Sequence, residues 1–223
     1  MYRTFVDITT NVDEVERRLS QITDKSKLVM MRAMNRTAST IATTEKREVS
    51  ARYFITQKNV AKTLRIEKAS TSNLSARVVS RGERMDLAKF KVSPLRPVKV
   101  TKGGERSPGV YKAAVRKNQG LKPLSGVEVD GKINKPFVAI MKNAKNDHTG
   151  VFYRGERKRK ENKRRNARRK GTHSPKEKEA LKSIMGPSVP DVAGSKAVME
   201  VVIKKANETL EKRIEHELSR VMR

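Results

Sequence analysis

The sequence predicts an α+β fold: an antiparallel β-sheet, partly open barrel or sandwich-like, flanked by long N-terminal and C-terminal amphipathic helices, with a long basic loop. Three observations predict it. Apolar residues recur at helical spacing near both ends of the 223-residue chain. Between residues 64 and 153 the period changes to two. Residues 154–170 then hold 11 basic side chains in 17 and no apolar stripe.

In chain order, Arg3–Ile8 alternate and read as a short strand. Asn11 or Asp13 can cap a following helix, with Asp13, Glu14 and Glu16 in its first turn. Val12, Val15, Leu19 and Ile22 start a stripe that continues through Leu28, Met31, Met34, Ala38, Ile41 and Ala42. This is one long helix, or a pair bent near Thr23–Ser26, ending near Arg52. Thr56 can cap a short helix over 57–64, with Val60, Ala61 and Leu64 inward and flanking apolar residues as a staple.

Candidate strands follow at 64–70, 74–81, 86–92, 97–102, 109–117, 126–130, 135–142 and 149–154. Turn signals at Gly82, Gly103-Gly104, Asp130-Gly131 and Asn146-Asp147 separate them. Pro94 and Pro97 keep 93–97 out of a central position. Together the runs read as a sheet with one wet, basic face. Gly150–Tyr153 reads as a strand end that covers the core. Gly186–Pro190 reads as a rigid turn, and Asp191 as the cap of the last helix. There Val198, Val201, Val202, Ile203, Leu210, Ile214, Leu218 and Val221 form a stripe over about 25–30 residues, at roughly 1.5 Å per residue. The expected organisation is helices plus sheet over 1–155, a mobile basic loop over 156–182, and a C-terminal helix over 183–223 packing back on the same single domain.

Composition narrows the function classes. Lys and Arg number 52 against 24 Asp and Glu, a net charge of +28. Residues 1–63 carry +5, 64–153 carry +12, 154–182 carry +10 and 183–223 carry +1. The charge is therefore not confined to the basic run, and the nearly neutral C-terminal segment reads as packing on protein. A field this positive favours a polyanion: DNA, RNA, an anionic surface or an acidic protein face. Apolar residues are 35% and aromatic residues 4%, so the private core is small and partner-covered surfaces are expected. No apolar run approaches the roughly 18 residues of a membrane span, and no secretory leader is expected. With no Cys, disulfides, thiolate metal sites and thiol nucleophiles are excluded. His148, His173 and His216 lack metal-ligand spacing, so no metal or cofactor is expected.

No catalytic constellation stands out. Gly103-Gly104 and Gly120 lack the strand–glycine–helix context of a phosphate loop. A nuclease would need clustered carboxylates to hold a divalent metal. Glu128 and Asp130 are the best pair, and a surface hairpin explains both. The candidate binding residues are therefore Arg154, Arg157, Lys158, Arg159, Lys160, Lys163, Arg164, Arg165, Arg168, Arg169 and Lys170. They can neutralise phosphates and release counterions, dock on an acidic protein ring, or simply keep the segment solvated. The run has no interleaved aromatic residue and the chain no Trp, which disfavours recognition by base stacking. Leu210, Ile214, Leu218 and Val221 are the candidate oligomer or partner interface.

Several stretches taken in order resemble one family. They are Ala33–Ala38, Val49–Val60, Thr63–Ile66, Lys68–Ser70, Phe90–Val92, Phe137–Ala139, His148–Phe152, Gly186–Pro190, and the terminus with Lys212-Arg213 and His216-Glu217. The series resembles the phage minor tail protein Z family and spans most of residues 25–220. The resemblance implies a structural virion protein and not an enzyme: a tail completion or neck component at the head-proximal end of a long phage tail. It would help join tail to head and position the DNA end for ejection. The implied partners are a tail terminator or tail tube protein and head–tail connector proteins, in a homo-hexameric ring. Contact with phage double-stranded DNA and docking on protein both remain open for the basic loop. The implied location is the virion, after assembly in the host cytoplasm. The link between Phe152 and Gly186 is longer and more basic than the family pattern implies. The rival class is a nucleic-acid-binding protein of ribosomal or nucleoid type without sequence preference, and a DNA-cleaving enzyme comes third.

Overall fold

The computed structural model describes residues 2–8, 23–98, 111–129, 131–141, 147–158 and 178–221. In chain order the elements are β1 (Tyr2–Ile8), α1 (Thr23–Arg52), α2 (Gln57–Ala61), β2 (Leu64–Glu67), β3 (Ala76–Gly82) and β4 (Arg84–Asp86). A 3-10 turn (Leu87–Lys89) follows, then β5 (Lys91–Ser93), β6 (Lys112–Ala114), β7 (Lys122–Pro123), β8 (Val127–Val129), β9 (Lys132–Asn134) and β10 (Phe137–Met141). The last elements are β11 (His148–Lys158), β12 (Lys178–Ser183), β13 (Met185–Ser188), α3 (Val189–Ala193) and α4 (Lys196–Val221). The protein is α+β, with long N-terminal and C-terminal helices. Its described strands form five sheets of two or three strands, and none closes into a barrel.

Two compact units divide the chain, each discontinuous in sequence. The first holds residues 1–85, 116–118 and 187–223; the second holds 86–115 and 119–186.

The first unit is built on a helix pair and a three-stranded sheet. On α1, Val29, Met30, Ala33, Met34, Ala38, Ile41, Ala42 and Val49 are buried at spacings of three and four, so one stripe faces inward. On α4 the matching stripe is Val198, Val202, Ala206 and Leu210. The helices run antiparallel: Arg32 and Arg36 reach Glu217 near the end of α4, while Thr44 and Glu48 flank Val201 and Glu208. Alanines 33, 38, 42 and 206 are all buried, and such small side chains let helix axes approach closely. β3 is the central strand of the order β1-β3-β2. Both its neighbours are antiparallel, with Val6 and Ile66 opposite Val78. Ala76, Val78, Val79 and Ser80 are all buried. The strict in–out alternation expected for this strand is therefore lost, because both of its faces are covered.

Local chemistry explains the element ends. Thr56 accepts a hydrogen bond from the Asn59 backbone N–H and caps α2, as expected. After Glu67 the chain leaves the sheet, ending the strand earlier than the expected 64–70. The Asn35 side chain holds it there: its amide nitrogen donates to the Ala69 carbonyl at 3.0 Å, and its oxygen accepts from the Ala69 N–H at 2.8 Å. Ser188 caps α3, and Ser188 and Asp191 form a reciprocal capping box. The expectation that Asp191 caps the last helix is thus corrected: it belongs to the five-residue α3, and α4 begins afresh at Lys196.

The second unit contains the sheets β10-β11-β12, β5-β6-β7 and β8-β9. The expected strand over 86–92 is broken. Asp86 accepts from the Ala88 N–H at 2.9 Å and caps the 3-10 turn, which separates β4 from β5. β8 and β9 pair antiparallel, with Val129 opposite Lys132, and Gly131 between them takes φ +70, the conformation that favours glycine in a hairpin turn. Val138, Val151 and Phe152 are buried at the centre of β10 and β11. Of the expected strand at 97–102, residues 97 and 98 are not strand, and the rest lies outside the described residues. So do 9–22, where the first cap and stripe were expected.

Candidate functional site

The basic run is rooted in a β-ladder. β11 extends through Lys158, four residues past its expected end, and β12 returns antiparallel beside it. Arg154 stands opposite Leu181, Arg157 opposite Glu179 and Lys158 opposite Lys178, with an irregularity between Arg154 and Arg157. This corrects the expectation of a loop over 156–182: both ends are strand. Alternation of apolar and polar residues carries no signal in Lys178–Ser183, so the strand rests on its pairing with β11. Leu181 on β12 is 42% exposed. Arg159, Lys160, Lys163, Arg164, Arg165, Arg168, Arg169 and Lys170 lie outside the described residues. The cross-strand register holds the two points from which they depart next to each other.

Arg154 is exposed, and its guanidinium lies 5.9 Å from the centroid of the Phe137 ring. Phe137 is the cross-strand neighbour of Phe152. An arginine at that distance is attracted by the face of the ring, which orients one cation at the base of the run. The second unit carries 26 basic and 9 acidic residues, a net of +17. A polyanion is thus the chemically matched partner for this unit.

A polar clasp sits beneath the root of β11. Asp86 is buried, and three donors converge on its carboxylate: Ala88 N–H at 2.9 Å, Ser183 Oγ at 3.1 Å and His148 Nε2 at 3.0 Å. It joins the end of β4, the start of β11 and the end of β12. A buried carboxylate needs such partners. Gly150 permits the approach, since a Cβ there would fall 2.9 Å from Asp86 Oδ2 and 2.7 Å from the Phe152 ring. The serine donates to the aspartate and not to the histidine, so the trio lacks the relay order of a hydrolase triad. Sequence reading missed the clasp because its members lie 62 and 97 residues from Asp86.

The four candidate interface residues divide. Leu210 is 8% exposed and belongs to the chain's own core, while Ile214 and Leu218 are half-buried. The side chain of Val221 is outside the described residues. Glu128 lies on β8, and its expected companion Asp130 is outside the described residues. Among the described residues, no three His, Asp or Glu side chains group in a way that could hold a metal ion. No helix among them is long and apolar enough to cross a membrane.

No protein-family model, curated protein or solved structure matches this chain.

Proposed function

We propose that the protein is a non-enzymatic structural component of a phage virion, a tail completion or neck protein of the minor tail protein Z type. It acts at the head-proximal end of a long tail, where it helps join tail to head and position the DNA end for ejection. The observation that carries this reading is the ordered series of short motifs from Ala33 to Glu217. Two structural features support it. The α+β architecture, with long terminal helices and several small sheets, suits a subunit that spreads its surface over neighbours. The half-buried Ile214 and Leu218 leave apolar area on the last helix for another subunit.

In this reading the chain forms a six-membered ring against a tail terminator or tube protein and connector proteins. A ring of identical subunits uses heterologous contacts closed by rotation. The basic run then meets the terminal DNA through phosphate charge, without sequence preference. The test is immunogold electron microscopy of particles from the source cells, using antibody to this chain. Label at the head–tail junction is expected. Intact particles that carry neither label nor any peptide of this chain would overturn the proposal.

One observation favours a second reading. The net charge of +28 and the 11 basic residues within 154–170 suit a nucleic-acid-binding protein outside any particle. Such a protein binds duplex or RNA as a monomer or dimer, with affinity falling steeply as salt rises.

A further inference from the structure

Three arginines and a histidine converge on one buried carboxylate where α1 and α4 meet. Glu217 of α4 is fully buried. Arg220 Nη1 lies 3.5 Å from its Oε2 and Arg32 Nη1 lies 3.9 Å from the same atom. Arg36 Nε and His216 Nδ1 each lie 3.8 Å from Oε1. Arg32 and Arg36 are one helical turn apart on α1, so both project toward the same end of α4. The carboxylate explains the gathering: three guanidiniums this close repel one another unless a negative charge sits among them.

The carboxylate does not consume them. Oε1 is buried and has no hydrogen-bond partner, and both contacts from α1 are longer than a hydrogen bond. Each guanidinium carries five N–H donors. The side chains of Arg32, Arg36 and Arg220 remain 45%, 53% and 55% exposed. Three arginines against one glutamate leave an excess of two positive charges facing solvent. Planar forks of this kind match the oxygen spacing of a phosphate and bind it bidentately.

We propose that Arg32, Arg36 and Arg220 form a binding site for a phosphate oxyanion, with Glu217 as the positioning residue beneath it. Glu217 pulls the guanidiniums into one cluster and, being buried, presents no negative surface to the ligand. The oxyanion comes either from free phosphate or from a nucleic-acid backbone. The site lies in the first unit, apart in sequence from the basic run, and does not rest on the virion reading.

The experiment follows the arginine Nε–H resonances of the full-length protein by NMR, first with inorganic phosphate and then with a short DNA duplex. Saturable shifts of Arg32, Arg36 and Arg220 are expected with phosphate. The same shifts with the duplex assign a backbone source, and shifts with phosphate alone assign a free-anion source. No saturable shift with either overturns the proposal. Glu217→Gln separates a built site from general attraction. It makes the protein more positive, so general attraction predicts tighter binding, whereas a positioned cluster predicts weaker binding. Tighter binding by that variant overturns the proposal. Because loss of Glu217 can disturb the helix pair, a second variant changes only exposed groups. Arg32→Gln combined with Arg36→Gln should abolish the shift of Arg220, and an unchanged Arg220 titration also overturns the site.

Discussion

Glu45 is the most quantitative handle on this structure. It occupies the inward stripe of α1 between Ala42 and Val49 and is only 4% exposed. Burial pushes its carboxyl up from 4.5 to about 7, because taking the charged form out of water is costly. At about 1.4 kcal/mol per pH unit, that difference corresponds to about 3 kcal/mol. The sign follows from proton counting. Below pH 4.5 the carboxyl is protonated in both folded and unfolded chains and costs nothing. Between 4.5 and 7 the unfolded chain releases the proton while the folded one keeps it, so stability falls as pH rises. Above 7 the penalty is complete. Glu45→Gln keeps the shape and removes the titration. Its gain over the wild type should be near zero at the acid end and grow to about 3 kcal/mol above pH 7. The assay is urea unfolding of both proteins at several pH values, followed by helical circular dichroism. Only the difference between the two profiles is read, so all other titrations cancel. A difference that stays constant across the range would refute the reasoning, since it would mean that Glu45 ionises as freely in the fold as outside it.

Three further outcomes follow from particular contacts. Ser188→Ala removes the buried capping box of α3 and should cost about 1 kcal/mol in thermal or urea unfolding. Leu210→Asp places an unpaired charge in the helix pair and should cost several kcal/mol, on the order of the burial penalty for such a group. Ile214→Asp, being half-buried, should cost clearly less, and equal losses would show that both positions are equally enclosed. Deleting 159–170 should preserve cooperative melting, because Lys158 and Lys178 are ladder partners and the seven residues 171–177 suffice to rejoin them. The same deletion should flatten the salt dependence of any DNA binding, and an unchanged slope would remove the run from the interface.

Much of this fold is legible in local pattern. The helical period of α1 and α4 is legible because a helix buries every third or fourth residue, but the exact face is not: Val29 and Met30 are buried where Leu28 and Met31 were expected, and Ile203 of the expected last-helix stripe is 47% exposed. Thr56 signals the start of α2 and Asp130-Gly131 signals a turn, but the three-residue β9 (Lys132–Asn134) is too short to show a period and lies outside the expected strands. The strand β12 was not legible, since Lys178–Ser183 carries no alternating pattern and is strand only because β11 lies alongside. The break in 86–92 has a similar origin. Asp86 reads as one acid among others until Ala88, His148 and Ser183 are brought to it.

The amino-acid order thus determines the α+β class, the two helical stripes, the excess of positive charge and where that charge is densest. These depend on spacing and composition within short windows, and the chain carries them before it folds. Tertiary structure decided which charges are held and which are free. Glu217 among three arginines, Asp86 under three donors and Glu45 in an apolar stripe are the same kind of side chain in the sequence. They differ because the cost of a buried carboxylate depends on the neighbours that distant segments supply.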